Sequence, residues 1–260
     1  MRLDDDYLRE LELAAIFALQ RARDGVTAAV VATPHLAKPA PVIAVPRPVV
    51  VAPLRVVKPA AAPLTIDPAR ATHIAALTWE FFASDVAQCK ACELCGTRKQ
   101  SVPGAGALDA TWLFVGEGPG AEEDESGEPF VGLAGALLEQ MLLATGLKRG
   151  REVYIANVVK CRPPGNRTPS QNEAAACAPF LDRQIALIQP KIIVALGKTA
   201  VMRLTGSDDS MASLRGKTLT YQGIPVIATY HPSYLLRNLT EKMKAWEDLM
   251  FAKRVLAETL

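Results

Sequence analysis

Short apolar runs alternate with amphipathic segments through residues 76–260. The stretches Thr111–Gly116 and Glu152–Val159 are apolar and rich in β-branched or aromatic residues, which predicts two strands. The segment Leu133–Leu147 between them has apolar residues at helical spacing and a glycine near its end, which predicts a helix. The alternation of the two element types indicates an α/β domain.

The same alternation continues to the C-terminus. A helix over 170–189 is predicted, with Ser170 as its N-cap and Glu173 three residues later. After it we predict a strand, a short helix, two paired strands and a terminal helix, at 191–197, 199–204, 217–223, 224–231 and from about 240. Strands separated by such helices imply a mostly parallel sheet covered on both faces, with chemistry on the loops at the strands' carboxyl ends.

The first 75 residues have a different composition. Apolar residues at helical spacing within residues 1–24 predict a short amphipathic helix, which either docks an unidentified protein or packs on the body. Residues 25–75 are rich in alanine, valine and proline, and proline breaks helices and central strands, so we predict a flexible linker. Its charged residues are basic between Val26 and Ile66, which suits a solvated spacer or a weak tether for phosphate. Residues 76–260 then form the main domain.

Length and charge narrow the class of protein. A chain of 260 residues, half of them hydrophobic, can bury the core of one main domain. The formal net charge of +2 neither demands nor excludes a polyanionic partner, because binding depends on where lysine and arginine cluster. The N-terminus lacks the features of a signal peptide, and lysine and proline interrupt the apolar runs, so we expect a cytoplasmic protein without a membrane span. Its five cysteines are then expected to be reduced thiols, metal ligands or catalytic groups.

A glycine-rich loop, Gly116–Gly132, follows the first strand. Its G-x-G-x-G spacing does not match a dinucleotide fingerprint, it contains no G-K-[ST] phosphate loop, and its acidic residues 122–125 would repel a pyrophosphate. The glycines alone are compatible with a structural turn. Phe130, which follows Pro129, is either a core residue or a flat group that stacks on a planar ligand.

The cysteines suggest a metal centre. Cys89 and Cys92 have the C-x₂-C spacing that lets two thiolates reach one centre, whereas Cys161 and Cys177 are 16 positions apart. Such scattered ligands suit a cubane iron-sulfur cluster better than a zinc ribbon, although spacing alone leaves zinc open. Cys95 also forms a C-x₂-C pair with Cys92, so the spacing does not decide which pair binds and which thiol is an ordinary buried one.

The segment Ala228–Asn238, ATYHPSYLLRN, combines a titratable group with apolar and cationic side chains. His231 is one of three histidines, and the other two lie in or near the N-terminal tail, so imidazole chemistry in the main domain has to use His231. Leu235 and Leu236 are either core residues or an apolar wedge that enters a duplex as a base is turned out.

Taken together, four motifs resemble those of family 4 uracil-DNA glycosylases, the iron-sulfur type. They are GEGPGAEEDESGEPFVGLAG, VYIANVVKCRPPGNRTP, the four spaced cysteines and HPSYLLRN, in order across about residues 85–258. The resemblance implies a three-layer αβα sandwich around a mostly parallel four-stranded sheet. It also implies an enzyme of base excision repair that flips uracil out of single- or double-stranded DNA and hydrolyses its N-glycosidic bond, leaving an abasic site. The tail before residue 75 is not covered.

The resemblance also assigns roles to residues of this chain. A 4Fe-4S cluster is expected on Cys89, Cys92, Cys161 and Cys177, with Cys95 as the spare thiol. The expected catalytic residues are His231 as a donor to the uracil O2, Glu123 near the C5 edge of the base, and Asn166 as an orienter of water.

Contacts with the substrate follow from the same resemblance. Those expected with uracil are made by Glu117, Gly118, Phe130 and Asn157. Phe130 would stack on the ring, and the two ends of the Asn157 amide would match uracil and not cytosine. The residues expected to contact DNA are Arg162, Arg167, Ser233, Leu235, Leu236 and Arg237.

Two alternatives compete with this interpretation. A relative of the family traps uracil-DNA covalently through a histidine in an extra basic loop after the second strand, but CRPPGNRTP has neither a histidine nor an insertion. A non-catalytic cluster protein that binds single strands or passes electrons would have no activity to lose when His231 or Asn157 is replaced. In either case we expect a monomer.

Overall fold

The computed structural model describes residues 67–259, so the predicted N-terminal helix and most of the predicted linker lie outside the described residues. Helices α1 (Pro68–Ala76) and α2 (Trp79–Gln88) open the described part. Asp67 caps α1 by accepting a hydrogen bond from the amide of Ala69. Ile74 of α1 is fully buried in the core. The main domain therefore begins before the predicted boundary at residue 76, because α1 is part of its packing.

Within residues 67–259, one mixed sheet has six strands in the order β1-β3-β2-β4-β6-β5. The strands are β1 (Ala105–Gly106), β2 (Trp112–Gly116), β3 (Val153–Asn157), β4 (Ile192–Leu196), β5 (Thr218–Tyr221) and β6 (Ile224–Thr229). The four inner strands are parallel, which confirms the mostly parallel sheet. Strands β1 and β5 add antiparallel edges, so the predicted count of four strands was too low. β1 has two residues, too few for a periodic pattern to reveal it.

Helices cover both faces of this sheet. After α1 and α2 they are α3 (Ala121–Ser126), α4 (Leu133–Ala144), α5 (Gln171–Ile188), α6 (Lys198–Thr205), α7 (Met211–Leu214), α8 (Pro232–Arg237) and α9 (Lys242–Thr259). The capping box predicted for α5 is present, since Ser170 and Glu173 each accept from the other's amide. No helix in the described part is long and apolar enough to cross a bilayer.

Two hydrophobic cores lie on opposite faces of the sheet, because successive side chains of a strand point to opposite sides. Leu113 and Val115 of β2 pack in one core with α1, α2, α5 and α6. Trp112 and Phe114 of the same strand pack in the other core with α4 and α9. This arrangement is the predicted three-layer αβα sandwich.

The strand register brings the carboxyl ends of the inner strands together. Gly116 of β2 pairs with Asn157 of β3, and Leu196 of β4 pairs with Thr229 of β6. Loops that leave these strands therefore open at one edge of the sheet, which is where parallel sheets place their ligands.

Candidate active site

A cleft of about 1130 Å³ opens at the carboxyl ends of the inner strands. Its lining includes most of the residues predicted for catalysis and for contact with uracil or DNA, which come from the segments after β2, β3 and β6: Glu117, Gly118, Glu123, Phe130, Asn157, Asn166, Arg167, His231, Ser233 and Arg237. Three residues of that set do not line it: Arg162, Leu235 and Leu236. The fold thus brings together residues that are more than 100 positions apart in the chain.

Asn157, Phe130 and Gly116 form one end of the cleft. Asn157 is 2% exposed, and its Oδ1 accepts no hydrogen bond from any described residue. Buried amide oxygens are rarely left without a donor, because the unmade bond is costly. A β-carbon on Gly116 would lie 2.7 Å from Cζ of Phe130 and would also collide with the Asn157 amide. The absence of a side chain at Gly116 therefore lets the ring and the amide approach each other.

Phe130 has a backbone conformation that is rare for an aromatic residue. Its φ is +55°, in the left-handed region, and its side chain is 5% exposed. The guanidinium of Arg149 donates to the carbonyls of Pro129 at 2.7 Å and Phe130 at 3.0 Å, and pairs with Glu139 at 3.3 Å. The role of Arg149 could not be predicted from the sequence, because the groups it holds at the cleft are backbone oxygens, which leave no pattern in the sequence.

Glu123 holds the same loop from its other side. One carboxylate oxygen accepts from the amide of Gly120 at 3.0 Å, and the other accepts from Val131 at 3.2 Å and Gly132 at 3.3 Å. Both oxygens are therefore occupied by backbone donors. This arrangement fits a part in shaping the cleft better than the predicted catalytic part.

The end of β2 contributes Glu117 and Gly118. The hydroxyl of Thr199 donates to the Glu117 carboxylate, which ties this loop to the start of α6. A β-carbon on Gly118 would lie 2.8 Å from Cγ2 of Val159, so glycine permits the close approach of the loops after β2 and β3. Both residues lie where the sequence predicted them, at the cleft.

His231 is held in one tautomer. Its Nδ1 accepts from the backbone amide of Ser233 at 3.2 Å and lies 2.8 Å from the Ser233 hydroxyl. Because a backbone amide can only donate, Nδ1 carries no hydrogen and Nε2 carries it. Burial, with a contribution from the charge of Arg237, lowers the pKa of His231 to about 4. At neutral pH the residue is a neutral imidazole with an N–H donor, and its ring centroid lies 5.5 Å from that of Phe130.

The two leucines that were predicted to act as a wedge, Leu235 and Leu236, lie in α8 and differ in exposure. Leu235 is 1% exposed, because α8 packs on α4, whereas Leu236 is 39% exposed. The prediction that Leu235 contacts DNA is therefore wrong, and Leu235 is a packing residue. Ser233, also predicted to contact DNA, is bonded to the His231 ring.

The loop after β3 is braced by its own polar residues. Nε of Arg162 donates to Oδ1 of Asn166 at 2.7 Å. Arg167 forms a two-pronged pair with Glu173 at 2.7 and 2.8 Å, and this pairing lowers the pKa of Glu173. The positive charge of Arg167 is thus largely neutralised by the Glu173 carboxylate. Arg162 and Arg237 have no ion-pair partner among residues 67–259, which leaves their charges available for phosphate.

All five cysteines line one small cavity on the side of the sheet that carries α2 and α5: Cys89, Cys92, Cys95, Cys161 and Cys177. Among the described residues, no group of three or more Cys, His, Asp or Glu is arranged to hold a metal ion. Cys95 shares this cavity, so its position does not separate it from the four predicted ligands.

Backbone and arginine N–H groups donate to three of these sulfur atoms. Arg98 donates to Sγ of Cys161 at 2.8 Å, Arg70 to Sγ of Cys89 at 3.4 Å, and the amide of residue 160 to Sγ of Cys177 at 3.3 Å. Burial raises the pKa of Cys177 to about 12, so a nearby positive charge would favour its thiolate form. An all-sulfur donor set supported by N–H donors fits a thiolate-bound metal centre.

Lys160 connects the cysteine cavity to the cleft. It is 1% exposed, and its Nζ donates to the carbonyl of Asn157 at 2.7 Å and to Oε1 of Gln184 at 2.5 Å. Burial lowers the pKa of Lys160 to about 8. The burial of Lys160 could not be predicted from the sequence, because a lysine beside a loop is usually exposed.

Comparison with known proteins gives a consistent result. The model of the uracil DNA glycosylase superfamily matches residues 103–250. A type-4 uracil-DNA glycosylase of Thermotoga maritima is 48% identical over 178 residues, which are 67% of this chain and 92% of the relative. Type-4 uracil-DNA glycosylases of Sulfurisphaera tokodaii and Pyrobaculum aerophilum are 45% and 42% identical over 61% and 63% of this chain, and 76% and 87% of their own lengths. The motifs, the cleft and these matches agree that the chain belongs to the uracil-DNA glycosylase superfamily, as a member of its type-4 family.

Proposed function

We propose that the protein removes uracil from DNA in base excision repair, by hydrolysing the N-glycosidic bond and leaving an abasic site. The observation that carries the proposal is the buried, unpartnered Oδ1 of Asn157 beside the ring of Phe130. A uracil flipped into this cleft supplies a flat ring for Phe130, an N–H donor for the amide oxygen and a carbonyl for the amide nitrogen. The matched relatives are named as uracil-DNA glycosylases, which supports the same assignment.

Asn157 gives the cleft its selectivity in this proposal. The N3–H and O4 of uracil complement the oxygen and the nitrogen of one amide group. Cytosine presents an acceptor and an amino group in the reverse order, so both ends of an amide held in the orientation that suits uracil would face mismatched partners. A buried polar group without a partner makes such a mismatch costly.

His231 acts on the leaving group. The bond between C1′ of the sugar and N1 of uracil breaks, its electron pair stays on the base, and negative charge gathers on O2. The Nε2–H of a neutral His231 donates to this oxygen, and the bond strengthens as the charge develops. Water adds its oxygen to C1′, and the proton it releases passes through solvent to the departing uracil anion. Asn166 lines the cleft on the side of the loop after β3, where it orients that water.

DNA is held by groups around the cleft mouth. Leu236 is exposed on α8 and enters the space left by the flipped base, while Arg237 and Arg162 meet phosphates. The substrate is uracil-containing DNA, single- or double-stranded.

The proposal is tested by alkaline strand cleavage. The purified full-length protein is incubated with a labelled oligonucleotide that contains one uracil, and with matched oligonucleotides that carry thymine or cytosine at that position. We expect cleavage at uracil only. A protein that retards these oligonucleotides on a gel without cleavage would be a binding protein, and an adduct that survives denaturation would indicate covalent trapping.

We also propose that Cys89, Cys92, Cys161 and Cys177 hold a 4Fe-4S cluster with a structural role. The cluster would supply a covalent anchor between α2 and the loop after β3. Five thiols around one cavity and N–H donors to three sulfurs support a thiolate-bound centre, and the scattered spacing of the four cysteines favours a cluster over zinc. A structural role predicts that loss of iron lowers stability and DNA affinity together with activity.

Replacing Cys177 with serine is expected to remove most of the iron, whereas Cys95→Ser is expected to keep it. The resemblance gives Cys177 as a ligand and Cys95 as the spare thiol, and Cys177 is buried whereas Cys95 is only partly buried. Iron and acid-labile sulfide per chain, with visible absorbance, measure the outcome. Equal iron loss in both variants would show that Cys95 is a ligand, and zinc in place of iron in the wild-type protein would overturn the cluster.

A further inference from the structure

Three flat groups form a continuous stack along one wall of the cleft. Cζ of Arg215 lies 5.1 Å from the ring centroid of Tyr230. The rings of Tyr230 and Tyr234 lie 5.0 Å apart, at an angle of 25°. Both tyrosines line the cleft and they flank His231 in the sequence. The order of the stack is therefore cation, ring, ring, from the body of the protein outward.

The inner end of the stack is firmly anchored. Nε of Arg215 donates to the carboxylate of Asp248 at 2.7 Å, and its Nη2 donates to the carbonyl of Lys244. Asp248 is 2% exposed within α9. An arginine fixed to a buried carboxylate holds its plane in place, and a planar cation over a ring holds the ring. Tyr230 is thus positioned by α9, although no residue of α9 lines the cleft.

The outer end of the stack is open. Tyr234 is 36% exposed, and within residues 67–259 it has no aromatic or cationic group stacked on its second face. Arg237, one turn further along α8, lines the same wall and has no ion-pair partner in the described range. An open aromatic face beside an unpaired cation matches the base and the phosphate of one nucleotide.

We propose that Tyr234 is a stacking platform for the base next to the flipped uracil in single-stranded DNA. The inference rests on the proposed function, since it places a neighbour of the same substrate strand. The cleft of about 1130 Å³ is lined by Tyr234 and Arg237 as well as by Phe130 and His231. In a duplex the neighbouring base stays stacked in the helix, so the platform acts mainly on single strands. Such stacking contributes about tenfold to affinity per base.

The test compares four single-stranded oligonucleotides with one uracil each. One has normal bases on both sides of uracil, two have a tetrahydrofuran abasic analogue on one side, and the fourth has the analogue on both sides. For the wild-type protein, kcat/KM is expected to fall by about tenfold when the stacked neighbour is removed. The substrate with one analogue whose kcat/KM falls shows whether Tyr234 stacks on the base that precedes uracil or on the base that follows it.

Variants of Tyr234 assign the effect to the ring. Tyr234→Phe should keep the difference between substrates, whereas Tyr234→Ala and the bulkier Tyr234→Leu should abolish it and leave inhibition by free uracil unchanged. Phe81→Ala removes a ring that is 56% exposed and outside the cleft, and it serves as the matched control. Thermal unfolding midpoints check the fold of each variant.

Two results would overturn the inference. One is a wild-type protein that releases uracil equally fast from all four substrates, and the other is a Tyr234→Leu variant that keeps the substrate difference. Release of no uracil from any substrate by the wild-type protein is a different result, because it would contradict the proposed function itself.

Discussion

Replacing His231 with alanine is expected to slow uracil release by about two to three orders of magnitude, the usual cost of removing one donor to a developing oxyanion. The loss should fall on kcat more than on KM, because the Nε2–H bond to O2 strengthens only as charge leaves the sugar. Among residues 67–259 the His231 ring forms hydrogen bonds only with Ser233, so the variant removes none that Phe130 or Asn157 makes.

Single-turnover release of uracil from a labelled oligonucleotide measures this effect. His73→Ala is the matched control, because the His73 side chain is 60% exposed and its pair with Asp85 lies outside the cleft. A His231→Ala variant with more than about a tenth of the wild-type rate would contradict the assigned donor role.

The same residue fixes the expected pH dependence. A histidine with an ordinary pKa would gain a proton between about pH 7 and 6 and alter the rate there. The pKa of His231 is lowered to about 4, so the imidazole stays neutral through that range. The rate should therefore stay level from about pH 8 down to pH 5.5 and fall as pH approaches 4, in step with protonation of His231. A break near pH 6.5 that disappears in His231→Ala would contradict a neutral donor.

The second large effect is expected for Asn157→Asp. A carboxylate retains the acceptor for N3–H but loses the donor for O4, and its charge faces a carbonyl in a site that is 2% exposed. We expect uracil release to fall by about a hundredfold, the cost of a mismatched buried polar group. The carboxylate accepts from the amino group of cytosine, so the ratio of cytosine to uracil release should rise.

Parallel assays on uracil and cytosine oligonucleotides give this ratio. Asn172→Asp, in the first turn of α5 and outside the cleft, makes the same chemical change without touching the base. An Asn157→Asp protein with unchanged release of uracil would show that another group reads the base edge.

The parts of the fold that repeat a pattern could be predicted from the sequence. The inner strands are continuous apolar runs because both of their faces are buried. Helix α5 begins at a capping box, Ser170 and Glu173, whose residue types and spacing can be recognised in the sequence. The location of the site could also be predicted, because Asn157 and His231 lie at or just after strand ends, and the carboxyl ends of parallel strands lie at one edge of the sheet.

The parts that depend on side-chain direction or on backbone partners could not be predicted. Leu235 and Leu236 are adjacent and chemically identical, and only the packing of α8 on α4 decides which is buried. Arg149 binds carbonyl oxygens and Arg215 binds a carboxylate 33 positions away, so neither forms a motif. Both residues act on the cleft by holding an aromatic side chain that the sequence does place there.

Gly116 has a genetic consequence. Every missense change at its codon adds at least a β-carbon, and that atom would occupy the place between the Phe130 ring and the Asn157 amide. A single such allele would leave every reactive group in the chain and still exclude the base. A strain that carries one should accumulate C-to-T transitions like a strain that lacks the gene.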